Sequence, residues 1–594
     1  MLWLTILALP ALYTVTCIVA LLHNRALARK TNLPYVLFPV QESNLIYIGL
    51  TNTQWFPYIV KNWLPESIAD HVLDSMYQLR WAVKDRMVKK YGGVYLHVSP
   101  GMITCQVSDA RVVQQVCRAR QSFVKRLKYL DALDMYGRNI FTTEGSQWSY
   151  HHRYTAPAFN EKNNALVWQE AVQQARQMTE YWSKEHSNPP GSDSSFALPD
   201  VREDIGNLTL NVISSAGFGV QLPFRRAATD TSVAEVGLIQ NTQQLPASYR
   251  FTFTEVMQYI SRSVVAVVVA NGILARRFPR WLMPFFKKEF MAYDDLGKYL
   301  HALIENAKRS KGEAHNLLER LVMSRRDGQE VTSKRNPGLT DSDIVGNTFI
   351  FFFGGYETSA TTLRFALVLL ALYPDVQDEL HKEIQTVLHG QPADPEAWDY
   401  NTVYPQLVTP LCIMLETLRL YPAAVNATKE TSESGADITY NGQTHRLPPK
   451  VRVNVGISAI HHVEEYWGPD AGTFNPRRWD KRNPDSFLAR NEGMDGLSGP
   501  GLESPSIHKP VRGAYVAFSD GERACVGRKF AQVEFVAVLT VLFREYRVSL
   551  CKVDTESDED ARERVKRALE GSTAPMALGI TEKVPLVFRR RDAV

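Results

Sequence analysis

The chain has 594 residues, with 67 lysines and arginines against 63 aspartates and glutamates, so its formal net charge is +4. This balance gives no indication of a nucleic-acid partner, and 22% charged with 45% hydrophobic residues is typical of a folded protein rather than a disordered one. Six cysteines without a CxxC pair argue against a zinc ribbon or a disulfide scaffold. The composition therefore predicts a large folded protein of a reducing compartment.

The first predicted element is an uncharged apolar stretch at residues 1–22. As a helix it would be roughly 33 Å long, enough to cross the hydrocarbon core of a bilayer. Basic residues follow between positions 25 and 30, and the positive-inside tendency then places the rest of the chain in the cytosol. We predict a single-pass transmembrane signal anchor at 1–22 and a basic, proline-containing linker at 23–60. A signal peptide cleaved near an Ala-Leu-Ala sequence is the alternative.

The body of the chain, residues 61–594, is predicted as one large, mainly α domain with minor β-sheets (α+β). Apolar residues recur at three- and four-residue spacing in its helical stretches, for example 293–308 and 375–388. A segment rich in glycine, serine and proline, 483–510, is predicted as a loop insertion, and the charged run 554–567 as a solvated helix or an insertion. Four shorter segments are predicted as strands: Val94–Val98, Ile103–Val107, Val451–Val455 and Pro585–Arg589.

A long helix is predicted from Thr340, its N-cap, to about Leu372, just before a proline. Asp343, three residues after Thr340, completes a capping-box pattern. The sequence GGYETS at 354–359 then places two glycines in mid-helix, each costing about 1 kcal/mol relative to alanine, so another contribution should compensate for them. Close helix packing and a ligand against a thinned helix face are the two alternatives.

The next predicted helix carries Glu416 and Arg419 one turn apart on one face, with Thr409 as its N-cap and Pro410 as its first residue. The spacing is a weak signal by itself, because a glutamate and an arginine in the charged run at 554–567 repeat it.

The segment from Phe518 to Gly527, with the sequence FSDGERACVG, precedes an apolar stretch of helical periodicity. A Cys525 thiolate is favoured just before a helix N-terminus, because the N–H groups and the dipole stabilise negative charge there. Gly521 permits a tight turn, Gly527 lets a flat ligand approach the backbone, and Arg523 can pair with an acidic group of that ligand. A buried core cysteine is the alternative, although it leaves the fixed spacing unexplained.

This segment resembles the FxxGxRxCxG signature of the cytochrome P-450 haem-thiolate family at each fixed position. The resemblance implies a haem b cofactor with Cys525 as the proximal iron ligand, Arg523 on a haem propionate and Phe518 near the thiolate. A thiolate ligand pushes electron density onto iron and favours cleavage of the O–O bond. The fold implied is a single P-450-type haem domain behind the anchor.

Other segments resemble further elements of the family, in the family's order. The GGYETS sequence is similar to (A/G)Gx(E/D)T(T/S), which implies that dioxygen binds beside this helix and that Glu357 and Thr358 deliver protons to it. Glu416 and Arg419 match ExxR, and Arg478, in the sequence FNPRRW, is implied to join them in a buried structural network that braces the cysteine loop. An arginine replaces the glutamate often found before Arg478.

Two further positions resemble the residues that hold the haem propionates. Trp148, in the sequence WSYHHR, is similar to the tryptophan of the family's WxxxR helix. His152 stands at the arginine position and Arg153 follows it, so both stay candidates. His461 matches another propionate-side position. Each of these histidines adjoins another, but adjacent side chains diverge on a helix, which favours the haem edge over a metal site.

The resemblance implies a monooxygenase that inserts one atom of dioxygen into a hydrophobic organic substrate, with metal binding only through haem iron. The sequence contains no flavin or nicotinamide fingerprint, so we expect electrons from a separate NADPH-cytochrome P-450 reductase, and from a cytochrome b-type protein as a further donor. The reductase is expected on the cysteine-loop side, where Arg523, Arg528 and Lys529 are basic.

A likeness to filamentous-fungal microsomal members, for example in the Leu-Pro-Tyr sequence after the anchor, implies a location in the endoplasmic reticulum membrane. It also implies a secondary-metabolite intermediate as substrate. The alternatives are a xenobiotic or lipid hydroxylase of the same family, a haem-binding protein without turnover, and a cysteine-nucleophile hydrolase.

Overall fold

The structure is a computed structural model, and it describes residues 2–40, 44–51, 53, 55–127, 133–186, 195–224, 248–309, 316–324, 338–553 and 555–591. It is mainly helical with small sheets, as the sequence predicts. The helices, in chain order, are α1 (Leu2–Arg29), α2 (Leu45–Thr51), α3 (Trp55–Trp63), α4 (Glu66–Ser75), α5 (Arg86–Tyr91), α6 (Ala110–Arg118), α7 (Gly145–Thr155), α8 (Glu161–His186), α9 (Arg202–Val212), α10 (Phe253–Arg262), α11 (Val264–Val268), α12 (Lys287–Arg309), α13 (Leu317–Met323), α14 (Asp341–Leu372), α15 (Pro374–Leu388), α16 (Tyr400–Val403), α17 (Val408–Leu420), α18 (Ile457–Ile460), α19 (Glu464–Trp467), α20 (Arg528–Glu545) and α21 (Asp558–Glu570). The strands are β1 (Tyr35–Leu37), β2 (Val94–Val98), β3 (Ile103–Val107), β4 (Phe123–Val124), β5 (Ser195–Leu198), β6 (Asn426–Thr431), β7 (Ala436–Tyr440), β8 (Gln443–Leu447), β9 (Arg452–Gly456), β10 (Tyr546–Leu550) and β11 (Leu586–Arg590).

The chain divides into two compact units, and the first consists of Met1–Arg126, Leu415–Cys525 and Lys566–Glu582. Its main sheet has the order β1-β2-β3-β9-β6-β4, in which β1–β2 and β3–β9 are parallel and the other neighbours are antiparallel. The β7–β8 hairpin turns through Asn441 and Gly442, both with positive φ, as a two-residue turn that matches the strand twist requires.

Helix α1 continues to Arg29, seven residues beyond the predicted end of the anchor at 22. Within the described residues, its Ala11–Arg29 part is the one helical stretch long and apolar enough to cross a membrane by itself, with a mean hydropathy of 1.3. The described residues of the segment predicted as a linker, 23–60, include β1, α2 and much of α3, and Asn24 donates a hydrogen bond to the Ser99 carbonyl (2.8 Å). Strand β1 pairs with β2, so this segment belongs to the first unit.

The second unit consists of Leu127–Met414, Val526–Val565 and Lys583–Val594. Helix α14 packs against α9, helix α20 packs against α8, and an antiparallel sheet has the order β10-β11-β5. Helix α14 begins as predicted: the Thr340 hydroxyl accepts a hydrogen bond from the Asp343 N–H (3.1 Å), and the Asp343 carboxylate accepts one from the Thr340 N–H (3.0 Å). It also ends at Leu372, as predicted.

Most predicted elements have the expected positions, and one predicted helix start is wrong. Strands β2 and β3 have the predicted bounds, while β9 and β11 begin one residue late. Helix α17 begins at Val408, so Thr409 is not its N-cap. Instead the N–H and the hydroxyl of Thr409 both donate to the Glu383 carboxylate of α15 (2.7 and 2.8 Å), which satisfies a first-turn N–H from outside the helix. Helix α21 contains most of the charged run, and 483–510 is irregular apart from one 3₁₀ turn and a β-bridge between Ile507 and Asp480.

Candidate functional site

Cys525 lies at the end of a closed loop in the first unit. Its backbone N–H donates to the Phe518 carbonyl (2.9 Å), and helix α20 begins three residues later. Gly521, inside the loop, has a φ of +72°, and a Cβ there would lie 2.8 Å from the Cys117 carbonyl oxygen. The predicted tight turn therefore requires glycine at this position. Gly527 has a φ of −87°, which any residue can adopt, so its backbone does not require glycine.

The Cys525 side chain is exposed, which contradicts the alternative of a buried core cysteine. Cys105, Cys117 and Cys412 are buried, and burial raises the pKa of the Cys105 thiol to about 12. All six cysteines lie within the described residues, and none forms a disulfide. A thiol presented on an ordered loop has the donor chemistry that suits iron, since thiolate is a soft ligand.

Phe518, at the start of the cysteine loop, is buried under the segment predicted as a loop insertion. Gly501 of that segment has a φ of +85°, and a Cβ on it would overlap the Phe518 ring. Arg512 forms an ion pair with Asp520 of the loop (3.1 Å). Arg523 is half-buried in a 3₁₀ turn. The insertion therefore helps to hold the aromatic side chain of the motif.

The Glu416 carboxylate is the centre of a buried ionic network in the first unit. The Arg419 guanidinium donates to both of its oxygens (2.8 Å each), and Arg478 Nε donates to Oε1 (3.0 Å). Trp479 Nε1 and the Asn475 N–H complete its hydrogen bonds (3.0 and 2.9 Å). The two guanidinium groups hold the pKa of Glu416 at about 2 against the opposing effect of burial. The predicted network of Glu416, Arg419 and Arg478 is therefore present.

His461 connects this network to the cysteine loop, in a role different from the propionate contact that the resemblance implies. Its Nδ1 donates to the Arg419 carbonyl (3.1 Å), and its Nε2 accepts from the Val516 N–H (3.0 Å). Because the side chain is fully buried and both nitrogens have protein partners, no N–H of the ring remains for a propionate. The ring also stacks on Tyr515 (centroids 5.1 Å apart).

Lys429, a buried cation on β6, belongs to none of the sequence motifs. Its side chain is 8% exposed, and its Nζ donates to the Val116 carbonyl (2.7 Å). That carbonyl precedes Cys117, whose own carbonyl adjoins Gly521, so an ammonium lies close to the turn of the cysteine loop. The signal for it is the alternation of β6, in which Lys429 and Thr431 fall on the buried face.

In the second unit, Glu357 and Thr358 lie in mid-helix on α14, as predicted. The Ser261 hydroxyl of α10 donates to the Glu357 carboxylate (2.6 Å), and burial raises the pKa of this carboxyl. The Thr358 hydroxyl donates to the Gly354 carbonyl (2.9 Å). Adjacent residues on a helix do not face each other, so the two side chains have separate surroundings.

The two mid-helix glycines of α14 differ in their surroundings. A Cβ on Gly355 would be in ordinary contact with Ile213 (3.4 Å), whereas a Cβ on Gly354 would have no described heavy atom within 4 Å apart from its chain neighbours and the backbone of its own helix. Close packing therefore does not explain Gly354. An open, thinned helix face remains, which is what a flat ligand needs.

Helix α7 places Trp148 and His152 together. Trp148 is buried, and its ring centroid lies 4.8 Å from that of His152. Arg153 is exposed on another side of the helix, and His151 is buried with its Nδ1 2.9 Å from the Asn347 amide. Across the described part of the chain, no three metal-ligating side chains form a group that could hold an ion. The geometry favours His152 over Arg153 as the partner of Trp148.

Comparison with known proteins identifies similar sequences over most of the chain. The family model for cytochrome P450 matches residues 74–571. The chain is 30% identical over 544 residues to "Cytochrome P450 monooxygenase ORF6" of Penicillium roqueforti, covering 88% of this chain and 87% of the relative. It is 30% identical over 547 residues to "Cytochrome P450 monooxygenase prx9" of Penicillium rubens, with 88% and 87% covered. It is 23% identical over 576 residues, 91% of each chain, to the "Phomenoic acid biosynthesis cluster cytochrome P450 monooxygenase" of Leptosphaeria maculans.

Proposed function

The chain belongs to the cytochrome P450 family of monooxygenases, and from that premise we propose that it oxygenates a hydrophobic intermediate of fungal secondary metabolism. Family membership implies a haem whose iron is bound by a cysteine thiolate. The observation that carries the proposal is the exposed side chain of Cys525. It lies at the end of a loop that is closed by the hydrogen bond from the Cys525 N–H to the Phe518 carbonyl and that turns at Gly521.

The residues present fit a haem. Within the first unit, Cys525 supplies the thiolate, and the cations Arg523 and Lys429 are candidates for the propionates. The second unit, taken by itself, has an open helix face at Gly354 that suits a flat group, and the family resemblance makes Trp148 and either His152 or Arg153 candidates there. The bound haem supplies the activation of dioxygen. The protein supplies the thiolate, the orientation of the group and the handling of protons.

Proton handling is assigned to Glu357 and Thr358. Burial raises the pKa of the Glu357 carboxyl, so it holds a proton nearer to neutral pH than an exposed glutamate does and can both take and release it. Ser261 orients this carboxyl through its hydrogen bond. The Thr358 hydroxyl, bonded to the Gly354 carbonyl, lies beside the open part of the helix and presents a hydroxyl there.

The substrate class is supported by a relative. The Leptosphaeria maculans protein is named as part of a biosynthesis cluster for phomenoic acid, and it is covered over 91% of its length. We propose that this chain acts on a comparable class of molecule, a hydrophobic intermediate of a secondary metabolite.

Electron supply is assigned to an NADPH-dependent flavoprotein reductase, with a cytochrome b-type donor as a second source. We propose that the reductase binds at the cysteine-loop surface, where the half-buried Arg528 supplies positive charge beyond that of Arg523, the candidate for a propionate. Lys529 contributes less, because its ammonium lies over the Tyr404 ring (4.3 Å from the centroid).

Membrane lipid is the other proposed partner, in the endoplasmic reticulum with the body of the chain in the cytosol. Helix α1 supports a single-pass anchor. In the second unit, Phe278, Trp281 and Phe285 are exposed by 51%, 78% and 73%. Exposed basic residues flank these aromatic side chains: Arg276, Arg277, Lys287 and Lys288. Aromatic and basic side chains together are typical of a surface that binds anionic lipid headgroups.

The test is the carbon monoxide difference spectrum of the reduced, full-length protein, followed by turnover with a fungal reductase and NADPH. We expect the thiolate-type spectrum in the parent and its loss in Cys525→Ala, because the iron then lacks its sulfur ligand. Supplied with extracts of fungal metabolites, the reconstituted enzyme should give a product heavier by one oxygen atom.

The matched control is Cys551→Ala, which removes a half-exposed cysteine outside the loop and should leave the spectrum unchanged. A thiolate-type spectrum that survives in Cys525→Ala would overturn the proposal. Oxygenation of xenobiotics or lipids alone, with no product from metabolite extracts, would keep the reaction and contradict the substrate class.

A further inference from the structure

A row of polar side chains crosses the main sheet of the first unit. Gln106 of β3 and Thr428 of β6 both stand opposite Asn454 of β9 in the strand register, so the three side chains share one face of the sheet. Gln106 and Asn454 are 4% and 1% exposed. Buried amide groups are normally hydrogen-bonded, so each N–H and C=O group of this row needs a partner.

The Asn454 amide determines how two other amides are oriented. Its Nδ2 donates one hydrogen to Gln106 Oε1 (2.7 Å) and the other to Asn426 Oδ1 (3.1 Å), while its Oδ1 accepts from the Thr428 hydroxyl (3.1 Å). With their oxygens turned towards Asn454, Gln106 and Asn426 have their amide nitrogens turned away from it. Gln106 Nε2 and Asn426 Nδ2 are shielded from solvent and have no hydrogen-bond partner among the described residues. These two buried donors therefore require an acceptor.

Gln106 and Asn426 both line a cavity inside the first unit, with a volume of about 20 Å³. A cavity of this size has room for one water-sized molecule or ion. Its charged lining residues, within the part of the chain that the structure describes, are Asp74, Arg80 and Lys84. The acceptor that the two amides require can therefore be a small bound species.

The charges around the cavity favour an anion. Both oxygens of the Asp74 carboxylate are engaged, since Oδ2 accepts from the Tyr95 hydroxyl (3.2 Å) and Oδ1 lies 3.5 Å from Arg80 Nε. The half-buried Lys84 forms no ion pair with any described residue. The charges of Asp74 and Arg80 cancel, and that of Lys84 remains. Two N–H donors beside an uncompensated cation select an acceptor that carries negative charge.

The backbone at Lys84 supports a role for its side chain. Its φ of +51° and ψ of −129° belong to a region that glycine adopts readily and that strains other residues. Such strain persists where the surrounding structure maintains it, and it is concentrated at binding sites. A lysine instead of a glycine places a positive charge at the cavity, which explains a side chain that the backbone disfavours.

We propose that this cavity binds one small monovalent anion of the halide class, held by the amide N–H groups of Gln106 and Asn426 and by the charge of Lys84. An anion only accepts hydrogen bonds, so it satisfies both amides, and its charge cancels that of the lysine. A water molecule could also accept from the amides, but it would leave the positive charge uncompensated. The inference goes beyond the proposed function and can fail independently of it, because it needs neither haem nor turnover.

The first test locates the anion directly. Crystals of the full-length protein in detergent, grown with sodium bromide, should show an anomalous peak for bromide within hydrogen-bond distance of Gln106 Nε2 and Asn426 Nδ2. A water molecule at this position, or a cavity without an anomalous peak, would overturn the proposal.

The second test measures thermal unfolding of the full-length protein while bromide replaces gluconate at constant ionic strength. The midpoint should rise by about 1 °C for each tenfold increase in bromide above its Kd. Lys84→Gly should lose this rise, because it removes the charge while relieving the backbone strain. Asn426→Asp, which has the same shape but an acceptor in place of the N–H donor, should lose it as well.

The matched control is Lys450→Gly in the same unit. Lys450 also has a positive φ (+58°), but its side chain is exposed and lies outside the cavity lining, so this variant should keep the bromide dependence of the parent. A parent midpoint that does not respond to bromide, or equal responses of Lys84→Gly and Lys450→Gly, would overturn the proposal. If Asn426→Asp does not fold, the two glycine variants still decide it.

Discussion

At the scale of single residues, the Glu416 carboxylate shows why a buried charge is retained. It accepts hydrogen bonds from two arginines, a tryptophan and a backbone N–H, so its charge is fully compensated inside the first unit. Removing one partner from such a cluster destabilises a protein more than replacing the whole cluster by apolar residues, because the remaining charges stay buried without a partner.

The variant Glu416→Gln should therefore lower the free energy of unfolding by about 3–5 kcal/mol, since the buried Arg419 loses its counter-charge and Arg478 keeps only its ion pair with Asp470. Thermal unfolding and haem content measure the effect. Glu559→Gln is the matched control, because Glu559 has the same spacing to an arginine but is exposed, and it should change stability by less than about 0.5 kcal/mol. Equal effects of the two variants would contradict the assignment.

The same network gives an acid-side prediction. The pKa of Glu416 in the folded state is about 2, below the value of about 4.3 for an unperturbed glutamate. The ionised Glu416 therefore contributes its full stabilisation at pH values above about 4.3. It is lost as the pH falls towards 2, where the folded state must also take up the proton. The free energy of unfolding, measured between pH 5 and pH 2, should fall more steeply for the parent than for Glu416→Gln. Parallel curves for the two proteins would contradict this pKa.

The Ser261–Glu357 contact gives a prediction for turnover. Because the Ser261 hydroxyl donates to this carboxylate, Ser261→Ala should raise the pKa of Glu357 further above its ordinary value. The acid limb of the pH profile of product formation should then move to higher pH. Ser263→Ala, two residues further on, is the control and should leave the profile in place; a shift to lower pH in Ser261→Ala would contradict the role of Glu357.

At the scale of elements, the sequence predicts a helix end correctly where the capping residues are neighbours in the chain. The capping box of α14 is formed by residues three apart, and both its start and its end follow from the sequence. The start of α17 does not, because Glu383 supplies its capping carboxylate from another helix. The partners of Lys429 and of Gly501 do not follow from the sequence either, since each contact joins segments that are distant in the chain.

The insertion at 483–510 can be tested through its glycines. Gly501→Ala places a Cβ in the Phe518 ring at a positive φ, whereas Gly493→Ala has a positive φ but open space around it. Both variants should lose about 1 kcal/mol to backbone strain, and Gly501→Ala about 1–3 kcal/mol more through overlap. Thermal unfolding and the carbon monoxide spectrum measure the difference. Identical behaviour of the two variants would show that the insertion does not hold Phe518.

At the scale of the whole molecule, the sequence predicts family, class and motif order, but not the division of the body into two compact units. That division depends on which distant segments pack together, and composition and periodicity carry no information on it. The Glu416 network and the turn at Gly521 follow from short motifs with fixed spacing, whereas Lys429 belongs to no such motif. His461 was assigned the wrong partner, since its position in a motif does not reveal where its two nitrogens point.

Membrane binding can be tested on the full chain and on a variant that lacks residues 2–22. The truncated protein should lose stable anchoring yet still bind vesicles that contain anionic lipid, through the aromatic and basic side chains between 276 and 288. Adding Lys287→Glu and Lys288→Glu should abolish that residual binding. Charge reversal at the exposed lysines 162 and 382 is the control, and equal loss there would mean that general charge, not this segment, binds the vesicles.

The buried ring of His461 has a consequence for tautomerism. With Nδ1 donating to one carbonyl and Nε2 accepting from one backbone N–H, only the neutral form that carries its proton on Nδ1 satisfies both partners. Burial and the neighbouring Arg419 lower the pKa of this imidazole to about 3, so no proton joins Nε2 at cellular pH. His461 therefore keeps one protonation state throughout the physiological pH range. Its hydrogen bonds to the Arg419 carbonyl and to the Val516 N–H, just before the cysteine loop, do not change with pH in that range.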